Sequence, residues 1–91
     1  MTEQSSENLL IRKKAIDYLS RREHSYQELI TKLGKFFFNP SLVNVELEKL
    51  IEDGLLSDRR FTESFIRSRK NQGKGPLRIR SELSIRGVAS Q

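Results

Sequence analysis

The stretch SDRRFTESFIRSRKNQGKGP, Ser57 to Pro76, decides between helix and strand for the second half of the chain. Ser57 followed by Asp58 reads as an N-cap with an acid in the first turn. There a side-chain oxygen accepts an unpaired amide proton, and a negative charge faces the positive end of the helix dipole. Phe61, Phe65 and Ile66 fall on one side of a 3.6-residue helix, the spacing of a buried stripe rather than the alternation of a strand. Gly73 and Gly75 end that helix and Pro76 opens the next, because proline at the first helical position lacks only an amide hydrogen that has no partner there. The spacing predicts a helix over about Asp58–Asn71 and a short one from Pro76, closed by Gly87, with Ile79 and Leu83 facing inward.

Upstream, the same punctuation predicts three more helices. Ser5 or Ser6 caps a first helix over about Glu7–Arg22, whose apolar stripe is Ile11, Ala15, Tyr18 and Leu19. Ser25-Tyr26-Gln27-Glu28 is a capping box that opens a second helix with the stripe Tyr26, Leu29, Ile30 and Leu33. Gly34 offers it a left-handed C-cap, and Asn39-Pro40 restarts the chain. A third helix over about Pro40–Asp53 carries Val43, Leu47, Leu50 and Ile51, and Gly54 stops it so that Leu55-Leu56 can fold back over the apolar face. The expected fold is all-α, with about five helices.

The chain also resembles itself. Tyr18-Leu19 align with Phe65-Ile66 at an offset of 47 residues, whereas Ser25, Glu28, Leu29 and Leu33 align with Gly75, Arg78, Ile79 and Leu83 at 50. A three-residue loop insertion reconciles the two offsets. The architecture expected is therefore tandem three-helix repeats, the first complete and the second incomplete. Residues 1–7 are expected to form a disordered tail, 8–56 the first repeat and 57–91 the second, truncated one. Ala89-Ser90-Gln91 reads as the N-cap of a further helix, and the 91 residues are expected to be part of a longer repeat protein.

Composition narrows the function. Hydrophobic residues make up 35% and charged residues 32%, so the core is thin and a deep catalytic cavity is not expected. The chain has no cysteine and one histidine, which removes disulfides, thiolate chemistry and a histidine-rich metal site from consideration and fits a reducing cytoplasm. No apolar run approaches the roughly 18 residues of a membrane span, and Met1–Glu7 is too polar for a secretory signal. No nucleophile, base and orienting group occur together, so the chain is read as a binding module and not an enzyme. No cofactor, small-molecule substrate or membrane partner is expected.

Charge is polarised. Of a net +5, residues 1–57 hold eight Lys and Arg against nine Asp and Glu, a balance of −1, whereas residues 58–91 hold nine against three, a balance of +6. The nine are Arg59, Arg60, Arg67, Arg69, Lys70, Lys74, Arg78, Arg80 and Arg86. They are the candidate binding residues, either as a ridge that follows phosphates or an acidic lobe or as a solvated surface with local ion pairs. Arg59–Glu63, Glu63–Arg67, Arg78–Glu82 and Glu82–Arg86 are four residues apart and can pair along a helix, whereas Arg60, Arg69, Lys70, Lys74 and Arg80 have no such partner. Lys74-Gly75-Pro76 reads either as a phosphate nest or as a plain helix-to-helix turn. His24 is a boundary residue with no companion for catalysis. Phe36-Phe37-Phe38 cannot all face one core, so at least one is exposed, packed on a further repeat or part of an interface.

Asp58-Arg59-Arg60-Phe61, Phe65-Ile66-Arg67-Ser68-Arg69, Gly73-Lys74-Gly75-Pro76-Leu77-Arg78-Ile79-Arg80, Glu82-Leu83 and Arg86-Gly87-Val88 together resemble the signature of the RecX family. Ala15, Leu19, Arg21 to Ser25, Glu28-Leu29, Leu33, Leu50 and Asp53 to Leu56 are similar to the same family's first repeat, so the resemblance runs from about Leu9 to Val88. It implies tandem three-helix repeats that bind along the groove of a RecA recombinase filament on DNA and usually restrain strand exchange and the filament's ATPase, without enzymatic activity of their own, with single- or double-stranded DNA itself a further candidate partner. The aromatic triplet stands where such proteins tend to have a shorter, more polar link. A rival reading comes from Leu50-Ile51-Glu52-Asp53-Gly54-Leu55-Leu56, which is similar to the helix-to-wing transition of winged-helix or helix-turn-helix transcription regulators. A wing needs two alternating strands after it, where Ser57–Asn71 carries helical spacing.

Overall fold

The computed structural model describes residues 6–88. Five α-helices follow one another, α1 Ser6–Arg21, α2 Tyr26–Leu33, α3 Pro40–Glu52, α4 Asp58–Asn71 and α5 Pro76–Ile85, with a 3-10 turn at Gly34–Phe36 and no strand among the described residues. Ser6 and Glu7, expected in the N-terminal tail, are helical; residues 1–5, the Ser5 cap and the Ala89-Ser90-Gln91 cap lie outside the described residues. No helix among those described is long and apolar enough to cross a membrane.

The helices start where capping side chains are available. Ser25 Oγ accepts from the Glu28 amide at 3.0 Å while the Glu28 carboxylate accepts from the Ser25 amide at 3.1 Å, which completes the capping box. The Asn39 side chain accepts from the Ser41 amide, and Ser57 Oγ accepts from the Arg60 amide. At the end of α3, the Leu55 amide reaches back to the Leu50 carbonyl at 2.9 Å and the Gly54 amide to Ile51 at 3.0 Å, a Schellman closure with Gly54 at φ +77°. Leu56 folds into the core beneath it, but Leu55 stays exposed.

Gly34 is not a left-handed cap. Its φ is −60°, because the backbone tightens into the 3-10 turn and carries on for one more turn. The left-handed residue is Phe37, at φ 59° and ψ 33°, with its ring 92% exposed. A bulky residue there costs roughly 1–2 kcal/mol. Phe37→Gly is therefore expected to leave the unfolding free energy unchanged or raise it by up to about 1 kcal/mol in a urea titration, since no buried area is lost and only the flexibility of unfolded glycine opposes the gain.

The core of the first repeat is Ile11 and Ala15 from α1, Leu29 and Leu33 from α2, Val43, Leu47 and Leu50 from α3, and Leu56. Tyr18, Leu19, Tyr26, Ile30, Phe38 and Leu42 pack at its edge. Ile51, expected inside, is exposed, and Glu46 is inside instead at 1% exposure. That carboxylate is held by the Asn8 side-chain amide at 3.0 Å and by Lys49 at 3.3 Å, the partners a buried charge requires.

A second cluster, Phe61 and Phe65 from α4 with Ile79 and Leu83 from α5, is bordered by Ile66 and Val88. It corrects the register of the repeat. Ile11 and Phe61, Ala15 and Phe65, Leu29 and Ile79, and Leu33 and Leu83 are each 50 residues apart, as are the first residues of α2 and α5, so one offset holds throughout and no loop insertion is needed. Phe37 and Gly87, both left-handed, are equivalent by the same offset, and so are Phe38 and Val88, each packed on its own repeat's cluster.

Candidate functional site

Ion pairing divides the nine C-terminal cations differently from the sequence spacing. Arg59 pairs with Glu63 at 3.4 Å and Arg78 with Glu82 at 3.2 Å, as the four-residue spacing predicts. Arg60, expected to be free, reaches Glu23 at 3.0 Å and the Gly54 carbonyl at 2.9 Å. Arg69, also expected to be free, binds Glu82 at 2.7 Å with its side chain only 22% exposed, and its guanidinium lies 4.4 Å from the centre of the Phe65 ring. The Arg69 guanidinium beside Glu82 holds that carboxyl below the usual carboxylate range. Arg86 pairs not with Glu82 but with Glu28 of α2 at 3.3 Å, and it covers Phe65 from 4.9 Å. Arg60, Arg69 and Arg86 are thus part of the scaffold. Arg67, Lys70, Lys74 and Arg80 make no ion pair among the described residues. Arg67, Lys70 and Arg80 are exposed, and Lys74 is half-buried. At roughly 100° per residue, Arg59, Glu63, Arg67 and Lys70 lie on the side of α4 away from Phe61 and Phe65. The turn Lys74-Gly75-Pro76 supplies an extended N-cap at Gly75 with no capping side chain, equivalent to Ser25 in the first repeat.

What fixes the basic helices is a junction on the turn between α1 and α2. Ser25 Oγ donates to the Arg86 carbonyl at 2.9 Å, and the Tyr26 amide donates to Asp58 at 2.7 Å. A Cβ added at Gly87 would stand 2.5 Å from Cβ of Gln27, so only glycine lets the end of α5 approach α2 this closely. Between α2, the end of α3 and the start of α4 runs an open groove of about 700 Å³ lined by Tyr26, Gln27, Ile51, Leu56, Asp58 and Arg60. Its Asp58 and Arg60 side chains are among those that tie the repeats together.

His24 stands at the base of this junction. It is a boundary residue in position, yet it is 2% exposed, which local sequence does not signal. Nδ1 lies 3.0 Å from the Arg22 carbonyl and Nε2 3.0 Å from Nζ of Lys32. Only the neutral ring with its hydrogen on Nδ1 satisfies both, donating to the carbonyl and accepting from the ammonium. Burial lowers the His24 pKa, with the Arg22 and Lys32 charges adding to the effect and the carbonyl bond opposing it. The folded chain therefore takes up this proton less readily than the unfolded one, whose imidazole titrates near 6.5. The His24 contribution to stability is whole above about pH 6.5 and is lost as pH falls below that value toward the lowered pKa. The urea midpoint is expected to fall between about pH 7 and 5.5, and His24→Gln is expected to remove most of that fall. Glu28 acts lower. Burial opposes its ionisation, but bonds from Arg22 and the Ser25 amide outweigh it and hold its pKa down, so its contribution is lost only as pH drops below about 4.5.

Comparison with known proteins follows the same division of the chain. A family model for the second three-helix domain of RecX matches residues 57–91. A regulatory protein RecX of Pseudomonas putida is 51% identical over 79 residues, covering 87% of this chain and 56% of that protein. One from Halorhodospira halophila is 45% identical over 89 residues, covering 98% of this chain and 55% of its own length. A crystal structure of a regulatory protein RecX superposes with a TM-score of 0.84 over 98% of this chain and 49% of that one, at 24% identity, and so shares the fold. The chain spans about half the length of the curated relatives it matches. With the second-domain model matching from residue 57 and about half of its residues identical to these relatives along most of its length, this chain belongs to the RecX family.

Proposed function

We propose that this chain acts as a RecX-type regulator that docks on a RecA recombinase filament assembled on DNA and restrains its strand exchange and ATPase. Docking uses the exposed cations Arg67 and Lys70 of α4 and Arg80 of α5 with the half-buried Lys74 of the turn between them, and Arg59 and Arg78 beside them. The observation that carries this reading is the segregation of charge: residues 58–91 hold a balance of +6, and those four cations are spent on no ion pair among the described residues. Like charges left unpaired oppose compaction and favour a polyanionic or acidic partner. Such a role needs no cofactor and belongs in the cytoplasm with the recombinase. The winged-helix alternative loses its support, because the segment that would form the wing is α4.

The chain, added in excess to RecA filament on single-stranded DNA, is expected to lower ATP turnover. Unchanged turnover at concentrations where the chain is bound would overturn the restraint, and absence of binding would overturn the docking.

A further inference from the structure

The first repeat holds lysines that its ion pairs leave over and an aromatic ring, Phe37, that its core does not use, although Lys32 also donates to the buried His24. Lys13, Lys14, Lys32 and Lys35 form no ion pair among the described residues, whereas Asp17, Glu23, Glu28, Glu46 and Asp53 of the same repeat all do. Two of these lysines sit on rings. Lys14 Nζ lies 4.2 Å from the centre of Phe36, Lys32 Nζ lies 5.0 Å from the centre of Tyr18, and Lys35 directly precedes Phe36. Burial lowers the Lys32 pKa, with the charges of Arg22, Lys35 and Arg21 adding to it and Glu28 opposing, and an acid, Glu7, stands beside the Phe37 turn, where it accepts from the Asn39 amide at 2.6 Å.

Phe37 stands at the tip of this turn. Its ring is 92% exposed, while Phe36 leans on Phe38 with centroids 5.7 Å apart and Phe38 packs on the core. The equivalent position of the second repeat is Gly87, the residue a left-handed backbone favours. A ring held in solvent at a glycine position breaks a local rule with no packing gained, and such departures mark functional sites.

We propose that Phe37, with Phe36, Lys14, Lys32 and Lys35, is a binding site for single-stranded nucleic acid, in which a base stacks on the Phe37 ring and the lysines follow the phosphates. Unpaired cations beside an exposed ring match a polyanion that carries planar groups. A single strand fits and a duplex does not, because the ring needs the open face of an unstacked base. The site lies on the first repeat and does not depend on filament docking through α4 and α5.

The test is a titration of the chain with a fluorescein-labelled thymidine oligonucleotide about 15 nucleotides long, an abasic strand of the same length and a duplex. Wild type is expected to bind the thymidine strand at least about tenfold more tightly than the abasic strand or the duplex. Phe37→Gly, which keeps the fold, is expected to abolish that preference, Phe37→Tyr to retain it, and Lys35→Gln to flatten the salt dependence on both single strands. Neutralising Arg67, Lys70, Lys74 and Arg80 should leave the preference for bases over abasic strand in place, which separates this site from the docking face. Equal binding of thymidine and abasic strands by wild type, or wild-type affinity in Phe37→Gly, would overturn the proposal. So would a result in which Phe37→Gly changes only self-association or binding to phosphatidylserine vesicles.

Discussion

Replacing Phe65 by alanine is expected to unfold α4 and α5 while the first repeat stays folded. The second cluster has four buried side chains against eight in the first, and Phe65 is one of the two largest. A buried Phe→Ala change costs about 3–5 kcal/mol, as much as a small helical pair commands. The ring also seats the Arg69 and Arg86 guanidinium groups, which in turn reach Glu82 and Glu28, so its loss weakens the junction that docks α5 on α2. Nothing in the first core touches Phe65 among its buried members. Amide hydrogen exchange checks this residue by residue. Protection should vanish across Asp58–Ile85 and persist in α1, α2 and α3. Loss across all five helices would show that the two repeats unfold as one unit, and full protection in α4 would contradict the account of the second core.

The second large effect concerns binding. Changing Arg67, Lys70, Lys74 and Arg80 together to glutamine is expected to weaken filament binding by about 10- to 100-fold at physiological salt. It should also reduce the slope of log affinity against log salt by about 3, if each cation answers roughly one phosphate. Stability should hardly move, since exposed charges without partners contribute little to it. Arg69→Ala should behave in the opposite way. It is a scaffold residue between Glu82 and Phe65, so it should lower the unfolding free energy by about 1–2 kcal/mol and alter the salt slope little. Calorimetry at several salt concentrations separates the two classes. Equal loss of affinity from Arg69→Ala with unchanged stability would mean that Arg69 belongs to the binding surface after all.

Much of the fold was legible because its signals are local. Ser25 with Glu28, Asn39 with Pro40, Ser57, and the glycines at 54, 73 and 87 each act within a turn of the helix they start or stop. The register of the repeat was not, because similarity of residue type misled. Tyr18-Leu19 look like Phe65-Ile66, yet the residue equivalent to Phe65 is the buried Ala15, a small side chain where α4 has a ring. Phe37 hid for the same reason, since nothing in a phenylalanine announces a left-handed backbone. Nor could spacing assign the cations. The partners of Arg60 and Arg86, Glu23 and Glu28, lie far back along the chain, and Glu82 can be claimed by Arg78, Arg86 or Arg69 until the helices are packed. The buried Glu46 and His24 are held by hydrogen bonds from Asn8 and Lys32, which no local pattern links to them.

The proposed engagement of a recombinase filament relies on protein and phosphate together. It is tested most directly by comparing the affinity of the labelled chain for RecA filament on single-stranded DNA with its affinity for bare duplex DNA of equal length, both at physiological salt. Clearly tighter binding to the filament is expected, lost on neutralising Arg67, Lys70, Lys74 and Arg80. Preference for one duplex sequence with no binding to the filament would contradict it.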